Sequence, residues 1–450
     1  MTESFTFLRI MRFLGLAVMS CAGVALVGVI AYLVPTQPLV SLGLAAAVCL
    51  FGLTLVDSAI VPLLMVVPVL ATYRIAANGV DLALSDAALF VAFFPALIFA
   101  QRPYTPTMRA LVWIGVSYQA ATLFTVVANP YRANYIEWVH AGMLIVGALV
   151  VGWSIGREGH ARLALTILVV AISVLGIAAI AQGLTQYASG NFSGVYPSWP
   201  FAMHKNAAGC LLGFAAAIAY VRPSWLRWSP WFAYACFWIC LAGLGVTQSR
   251  QAMAGLAAAL IVIVMRTHDK GRERRSKVIL LAVLGATGFV LVMVRNQIAS
   301  GDEHNSFFQR IDWFNESMRI WETDPLFGVG LRWWYTDRFE VAFQPPNALL
   351  ETLSAAGIVG LAGFVVLMFG SLAVLWRMDP KYGLIAFTVV LSRFVQGQLD
   401  LFWVAVQTSV PFLIAGICLG AHGRELAEQP TGEGWLTEQA NAAELEKTVA

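Results

Sequence analysis

Charge is what this sequence lacks most. Of 450 residues only 12% are Asp, Glu, Lys or Arg, while 59% are hydrophobic and the mean hydropathy is +0.74. Soluble domains carry about 25% charged and roughly 45–50% apolar residues. So few charges cannot cover so much apolar surface, which excludes a cytosolic enzyme, a disordered chain and a nucleic-acid binder. Cysteine is sparse too. The six cysteines lie inside apolar runs and form no C-x-x-C pair, so neither a zinc site nor a disulfide framework is signalled. Soluble catalytic signatures are missing: there is no G-x-S-x-G, no H-E-x-x-H and no phosphate loop.

What is present is a succession of long hydrophobic runs. A bilayer core needs about 20 apolar residues per helix. Candidate spans fall near 13–34, 38–56, 60–77, 84–100, 110–128, 139–155, 163–185, 206–221, 230–247, 251–266, 278–295, 347–376, 382–399 and 402–420. The chain is therefore expected to be an all-α polytopic membrane protein with 12–14 transmembrane helices. Most of its 28 Lys and Arg fall in alternate short loops, and the run His268–Lys277 is the strongest anchor. Basic loops stay cytoplasmic, which places both termini inside, in a multi-pass protein of the cell inner (cytoplasmic) membrane. The expected organisation is a transmembrane bundle over 1–296, one long extracytoplasmic loop over 297–346, C-terminal spans over 347–420 and a polar cytoplasmic tail over 421–450.

The long loop carries its own signal. Phe307, Ile311, Phe314, Met318 and Trp321 recur at helical steps, and Ser306 with Gln309 reads as a capping box. Asp324-Pro325 then ends the pattern. An amphipathic helix is expected over 306–323, on the membrane surface or across the bundle mouth. Arg310 and Arg319 lie off its apolar stripe, either bound to Asp312, Glu316 or Glu322 or available to a ligand.

Other polar groups collect on the same side. His204, Lys205 and Asn206 open one span, and Thr247-Gln248-Ser249-Arg250 makes a tight turn between two others. Arg393 lies within a span, where a charge costs at least about 2.5–3.5 kcal/mol at the helix centre. It is expected either to pair with Asp400 or Glu351 or to wall a cavity at the outer mouth. Arginine forks there suit a lipid-linked diphosphate, since a guanidinium holds two phosphate oxygens at once.

Four stretches resemble the O-antigen ligase and O-antigen polymerase superfamily of integral membrane glycosyltransferases. They are His204-Lys205-Asn206; Thr247-Gln248-Ser249-Arg250; Arg310-x-x-Trp313 followed by Pro325-Leu326-Phe327-Gly328-Val329-Gly330; and Asn347 followed by Gly357-Ile358-Val359-Gly360. The resemblance implies glycosyl transfer on the extracytoplasmic side without a metal or other cofactor. It implies an undecaprenyl-diphosphate-linked glycan donor and a glycan or lipid acceptor, as in a surface polysaccharide ligase or polymerase. It assigns diphosphate binding and catalysis to Arg250 and to Arg310 or Arg319. The candidate substrate-binding residues around them are His204, Lys205, Asn206, Arg332, Gln344, Asn347, Glu351 and Arg393.

One position departs from the pattern. The family has a histidine, the base for the acceptor hydroxyl, directly before the asparagine of the fourth stretch; here that position is Pro346. His304, Asp337, Glu340 and Glu351 are the candidate substitutes. The alternatives are a transporter or lipid flippase of envelope-glycan precursors, a catalytically divergent member of the superfamily, and a glycosyltransferase of the shape, elongation and division class. Transporters commonly show internal repeats and broken helices at the midplane, and no clear repeat is found here.

Overall fold

The computed structural model describes residues 38–77, 80–266, 306–336, 338–340 and 343–428, with isolated positions 28, 31, 32, 34, 35 and 295. Most of the first expected span, the basic run 268–277, most of the span 278–295, His304, Asp337 and the tail beyond 428 lie outside the described residues.

Apolar runs become helices where the sequence places them. The helices are α1 (Pro38–Val56), α2 (Ile60–Leu64), α3 (Leu84–Phe99), α4 (Pro106–Ala128), α5 (Arg132–Arg157), α6 (Ala161–Ala188) and α7 (Lys205–Val221). They continue as α8 (Pro230–Thr247), α9 (Arg250–Arg266), α10 (Ser306–Thr323), α11 (Ala348–Arg377), α12 (Pro380–Gly397) and α13 (Ala405–Glu428). Among the described residues six are long and apolar enough to cross a membrane: α4, α5, α6, α8, α11 and α13. The protein is an all-α, multi-pass membrane protein. Its last helix runs on to Glu428, past the expected boundary at 420.

Three helix starts follow one local rule. Thr105, Ser229 and Asp379 each accept a hydrogen bond from a backbone N–H of the first turn, and Pro106, Pro230 and Pro380 follow them. A short polar side chain satisfies an amide the helix leaves unpaired, and proline lacks an amide there to waste. All three lie at the same end of the bundle.

The expected span 60–77 is not one helix. It holds α2, a 3-10 turn at Pro68–Leu70 and the strand β1 (Arg74–Ala77), which pairs antiparallel with β2 (Val80–Ala83). Pro68 has no amide to continue a helix, and Asn78-Gly79 between the strands is the dipeptide that favours a two-residue hairpin connection.

The core is built on close backbone contact. Gly152 and Gly156 of α5 face Gly416 and Gly420 of α13. A methyl group on Gly152 would fall 2.2 Å from the Leu413 carbonyl oxygen, and one on Gly420 would fall 2.4 Å from that of Trp153. Small residues four apart let two helices approach until their main chains touch, which is how helices associate where lipid removes the usual hydrophobic drive. Elsewhere the surface is apolar: Trp231, Tyr234 and Trp238 of α8 are exposed and stack edge to face.

Helix α11 is broken. Gly357 has φ 63° and ψ −166°, and the segment 325–330 lies against the break. Val329 and Gly330 donate to the carbonyls of Ser354 and Ala355, while Ile358 and Val359 donate to those of Pro325 and Leu326. An interrupted helix inside a membrane needs another source of hydrogen bonds for its freed backbone, and this segment supplies it. A side chain on Gly357 would meet the Leu326 carbonyl oxygen at 2.3 Å, and one on Gly328 the Ala355 carbonyl at 2.4 Å. Thus two stretches distant in sequence form one backbone joint.

Candidate active site

The joint is clamped from α4 and α5. Asn129 Nδ2 donates to the Gly328 carbonyl at 2.9 Å, and Asn134 Oδ1 accepts from the Leu331 amide at 2.9 Å. Arg338 donates at 2.9 Å to both Asn129 Oδ1 and the Val329 carbonyl. After the joint, Arg332, Trp334, Tyr335 and Gln344 thereby come to line a cavity of about 450 Å³. Ligand pockets commonly measure about 300–1,000 Å³.

The cavity gathers remote parts of the sequence. Thr72, Arg74 and Ala83 come from the hairpin and Asp86 from the first turn of α3. Glu137 and His140 come from α5, Ala202, His204 and Ala207 from the start of α7, Arg332, Trp334, Tyr335 and Gln344 from the loop, and Asp400, Leu401, Trp403 and Gln407 from the α12–α13 connection and the start of α13. A smaller hollow, lined by Tyr118, Glu351 and Thr352, shares Glu137, Trp334 and Trp403 with it.

Its most polar wall is buried. His140 Nδ1 lies 3.2 Å from Glu137 Oε2, one turn back on α5, and His140 Nε2 lies 3.0 Å from Asp86 Oδ1. Arg332 pairs with the same Glu137 oxygen. Asp86 Oδ2 accepts the Ala83 amide at 2.8 Å, which fixes the carboxylate at the start of α3. The side chains of His140, Asp86 and Glu137 are each less than a tenth exposed. Just after His140 the helix widens into a π turn over Met143–Gly147, a distortion frequent at functional sites.

The opposite wall carries the residues that sequence singled out. His204 caps α7, accepting the Asn206 amide at its Nδ1. Burial pulls its pKa below 6.5 and the neighbouring Lys205 cation lowers it further, against the opposing carboxylate of Asp400. One oxygen of Asp400 accepts from Asn206 Nδ2 and from Gln251 Nε2, both at 3.0 Å. That oxygen therefore joins the start of α7 to the first turn of α9, next to Arg250. Asn347 caps α11 through the amides of Leu349 and Leu350 and donates to the Gln398 carbonyl.

The expected site residues thus separate into groups. His204, Arg332 and Gln344 line the cavity. Glu351 is buried behind it, accepting from Gln344 Nε2 at 2.6 Å and from the Phe402 amide at 3.4 Å. Asn206 and Asn347 hold the mouth together, and Lys205 lies 5.7 Å from the Tyr196 ring centre. Arg250, Arg310 and Arg319 are exposed and are not among the residues lining the cavity; Arg319 pairs with Glu316. Glu340 is exposed.

Arg393 departs from its expected pairing. It is fully buried and donates to Gln407 Oε1 at 2.8 Å and to the carbonyls of Leu401 and Phe402, not directly to Asp400 or Glu351. Leu401 and Gln407 line the cavity, so Arg393 props its floor. Helix α10 also differs in detail. Ser317 and Ile320 are buried and Trp313 stacks on Phe343, whereas Ile311 and Phe314 of the expected stripe stay exposed.

Residues 235–365, which contain Arg250, the α10 helix, the joint and the break in α11, match the family model described as O-antigen ligase. Over this stretch the chain is similar to the O-antigen ligase family. No curated protein matches it. The O-antigen ligase stretch supplies Arg332, Trp334, Tyr335 and Gln344 of the cavity lining, and the rest comes from outside the match.

Asp86, Glu137 and His140 escaped the reading of the sequence. The signal was there: Glu137 and His140 stand three apart at the start of a span, and Asp86 lies in the first turn of another. Ionisable groups within a membrane segment are functional candidates by default.

Proposed function

We propose that this chain is a membrane glycosyltransferase that moves a glycan from an undecaprenyl-diphosphate carrier to a glycan, lipid or cell-envelope acceptor. The reaction takes place at the extracytoplasmic face of the cytoplasmic membrane. The observation that carries the reading is the cavity. The O-antigen ligase stretch roofs it, His204 and Asp400 wall it, and Arg250 follows directly on the turn tied to Asp400 through Gln251.

In this reading the polyprenyl tail stays in lipid and the diphosphate sits at headgroup depth, within reach of Arg250, Arg310 and Arg319. The sugar enters the cavity, where Gln344, His204 and Arg332 offer hydrogen bonds and Trp334 and Trp403 offer flat apolar faces. Transfer breaks the bond from the anomeric carbon to the diphosphate oxygen. Fixed guanidinium charge where negative charge develops lowers that barrier, so the reading needs no metal. Orientation is supported by Arg102, Arg109, Arg157, Arg162, Arg222, Arg227, Arg377 and Lys381, which fall in or beside alternate connections between the helices.

The test is genetic. In cells deleted for the protein, surface glycans are profiled by size after complementation with wild type, Arg250→Ala or Arg310→Ala. Wild type restores the long or ligated glycan, and each variant, present in membranes at normal amounts, does not. Wild-type profiles from both variants would reject the assignment. Lost length with retained attachment indicates a polymerase, and accumulated lipid-linked polymer a ligase.

A further inference from the structure

An acceptor hydroxyl is a poor nucleophile until its proton leaves, and Pro346, in the position of the family's base, has no lone pair to take it. The substitutes read from sequence do not meet the need in the structure. His304 and Asp337 lie outside the described residues, Glu340 is exposed, and Glu351 sits behind the cavity and is not among the residues that line it.

The buried wall offers an alternative. Asp86, His140, Glu137 and Arg332 form one chain of contacts that lines the cavity. Glu137 is compensated on both sides, by Arg332 and by the imidazole. Among the described residues, Asp86 contacts the imidazole and one backbone amide. Carboxylates accept and do not donate, so each close contact to the ring needs a proton between nitrogen and oxygen. With a proton at both nitrogens the four groups are formally neutral: two carboxylates, one imidazolium and one guanidinium.

We infer that Asp86 is the proton acceptor for the acceptor hydroxyl, with His140, Glu137 and Arg332 as positioning residues behind it. The inference rests on the glycosyl-transfer reading. The acceptor oxygen bonds to the anomeric carbon as the bond from that carbon to the diphosphate oxygen breaks. The electron pair of the broken bond leaves on the diphosphate, and the hydroxyl proton passes to Asp86. The four-residue group then carries one net positive charge, gained as the leaving diphosphate gains a negative one. Charge that appears in step with the leaving group favours the transition state over the bound substrate. Among the described residues the other charged or titratable side chains that line the cavity are Arg74, His204, Tyr335 and Asp400.

The experiment complements the deleted cells with wild type, Asp86→Asn, Asp86→Glu and His140→Gln. It measures size-resolved surface glycan per membrane-inserted protein in media from pH 5 to pH 8. General base catalysis contributes typically a hundredfold to ten-thousandfold. Asp86→Asn, which keeps an oxygen for the Ala83 amide, is expected to lower the product about a hundredfold or more. Asp86→Glu is expected to restore part of it, and His140→Gln to move the acid limb of the pH profile. Wild-type product from Asp86→Asn overturns the inference. If that variant does not reach the membrane, a His140→Gln profile superimposable on wild type overturns it instead. If wild type itself restores no glycan, the glycosyl-transfer reading fails, and this inference fails with it.

Discussion

His204 begins α7 with a ring nitrogen in place of the usual hydroxyl or carboxylate, and only a neutral imidazole can accept there. Its pKa in the fold is lowered by burial and by Lys205, so the native state prefers the neutral form. That contribution is complete above the unfolded value of about 6.5 and is lost as pH falls through the folded value. Purified protein should therefore melt earlier at pH 5 than at pH 8, and His204→Asn, which caps without titrating, should narrow that gap. An unchanged gap would separate the cap from the pH effect. Arg393 acts by direct contact. Replacing it with leucine removes the charged donor from Gln407 Oε1 and the Phe402 carbonyl, which keep Cys210 and the Val404 amide as donors, and leaves the Leu401 carbonyl without Arg393, at about 1–3 kcal/mol for an unsatisfied group. A marked fall in melting temperature is expected, with Arg393→Lys restoring little, because a single ammonium nitrogen cannot take the place of the two separated guanidinium nitrogens that serve Gln407 on one side and the two carbonyls on the other. A melt like wild type in Arg393→Leu would show that the floor needs no cation.

Among the elements, the joint between 325–330 and the broken α11 carries the site, because the cavity residues Arg332, Trp334, Tyr335 and Gln344 lie between its two halves in the chain. Gly357 occupies a backbone region open essentially only to glycine, which costs another residue about 1–3 kcal/mol in strain before any clash. Gly357→Ala should destabilise the protein by more than that, since the new methyl meets the Leu326 carbonyl; thermal unfolding in detergent measures it. The α5–α13 seam is a second support. Gly156→Leu would wedge the two backbones apart and should sharply reduce the amount of folded protein recovered from membranes. Recovery at wild-type levels would mean the seam is slack.

The same elements explain what could be read in advance. Runs such as 38–56 and 230–247 appeared as helices with those bounds, because length and hydropathy decide a membrane helix locally. The amphipathic period from Phe307 to Trp321 gave α10 its limits at Ser306 and Thr323. Periodicity could not say which face packs inward. That depends on Phe343 and Trp333, which come from a loop with no period of its own. The hairpin was absorbed into an apolar run in spite of its Asn78-Gly79 signal. The Asp86–His140–Glu137–Arg332 wall was out of reach for another reason. Its members lie on three elements as far apart as 86 and 332, and only tertiary packing makes them neighbours.

At the scale of the whole molecule, the bundle separates a basic end from an end that holds a polar cavity under a roof. A transferase and a transporter differ in what becomes of the carrier, so the carrier is what to follow. Purified protein in liposomes is supplied with an undecaprenyl-diphosphate-linked glycan and an acceptor, with a chelator present, and the lipid products are weighed by mass spectrometry. The account predicts free undecaprenyl diphosphate released in step with glycan gained by the acceptor, abolished by Arg250→Ala. Glycan that crosses the bilayer still joined to its carrier, with no free carrier formed, would contradict it.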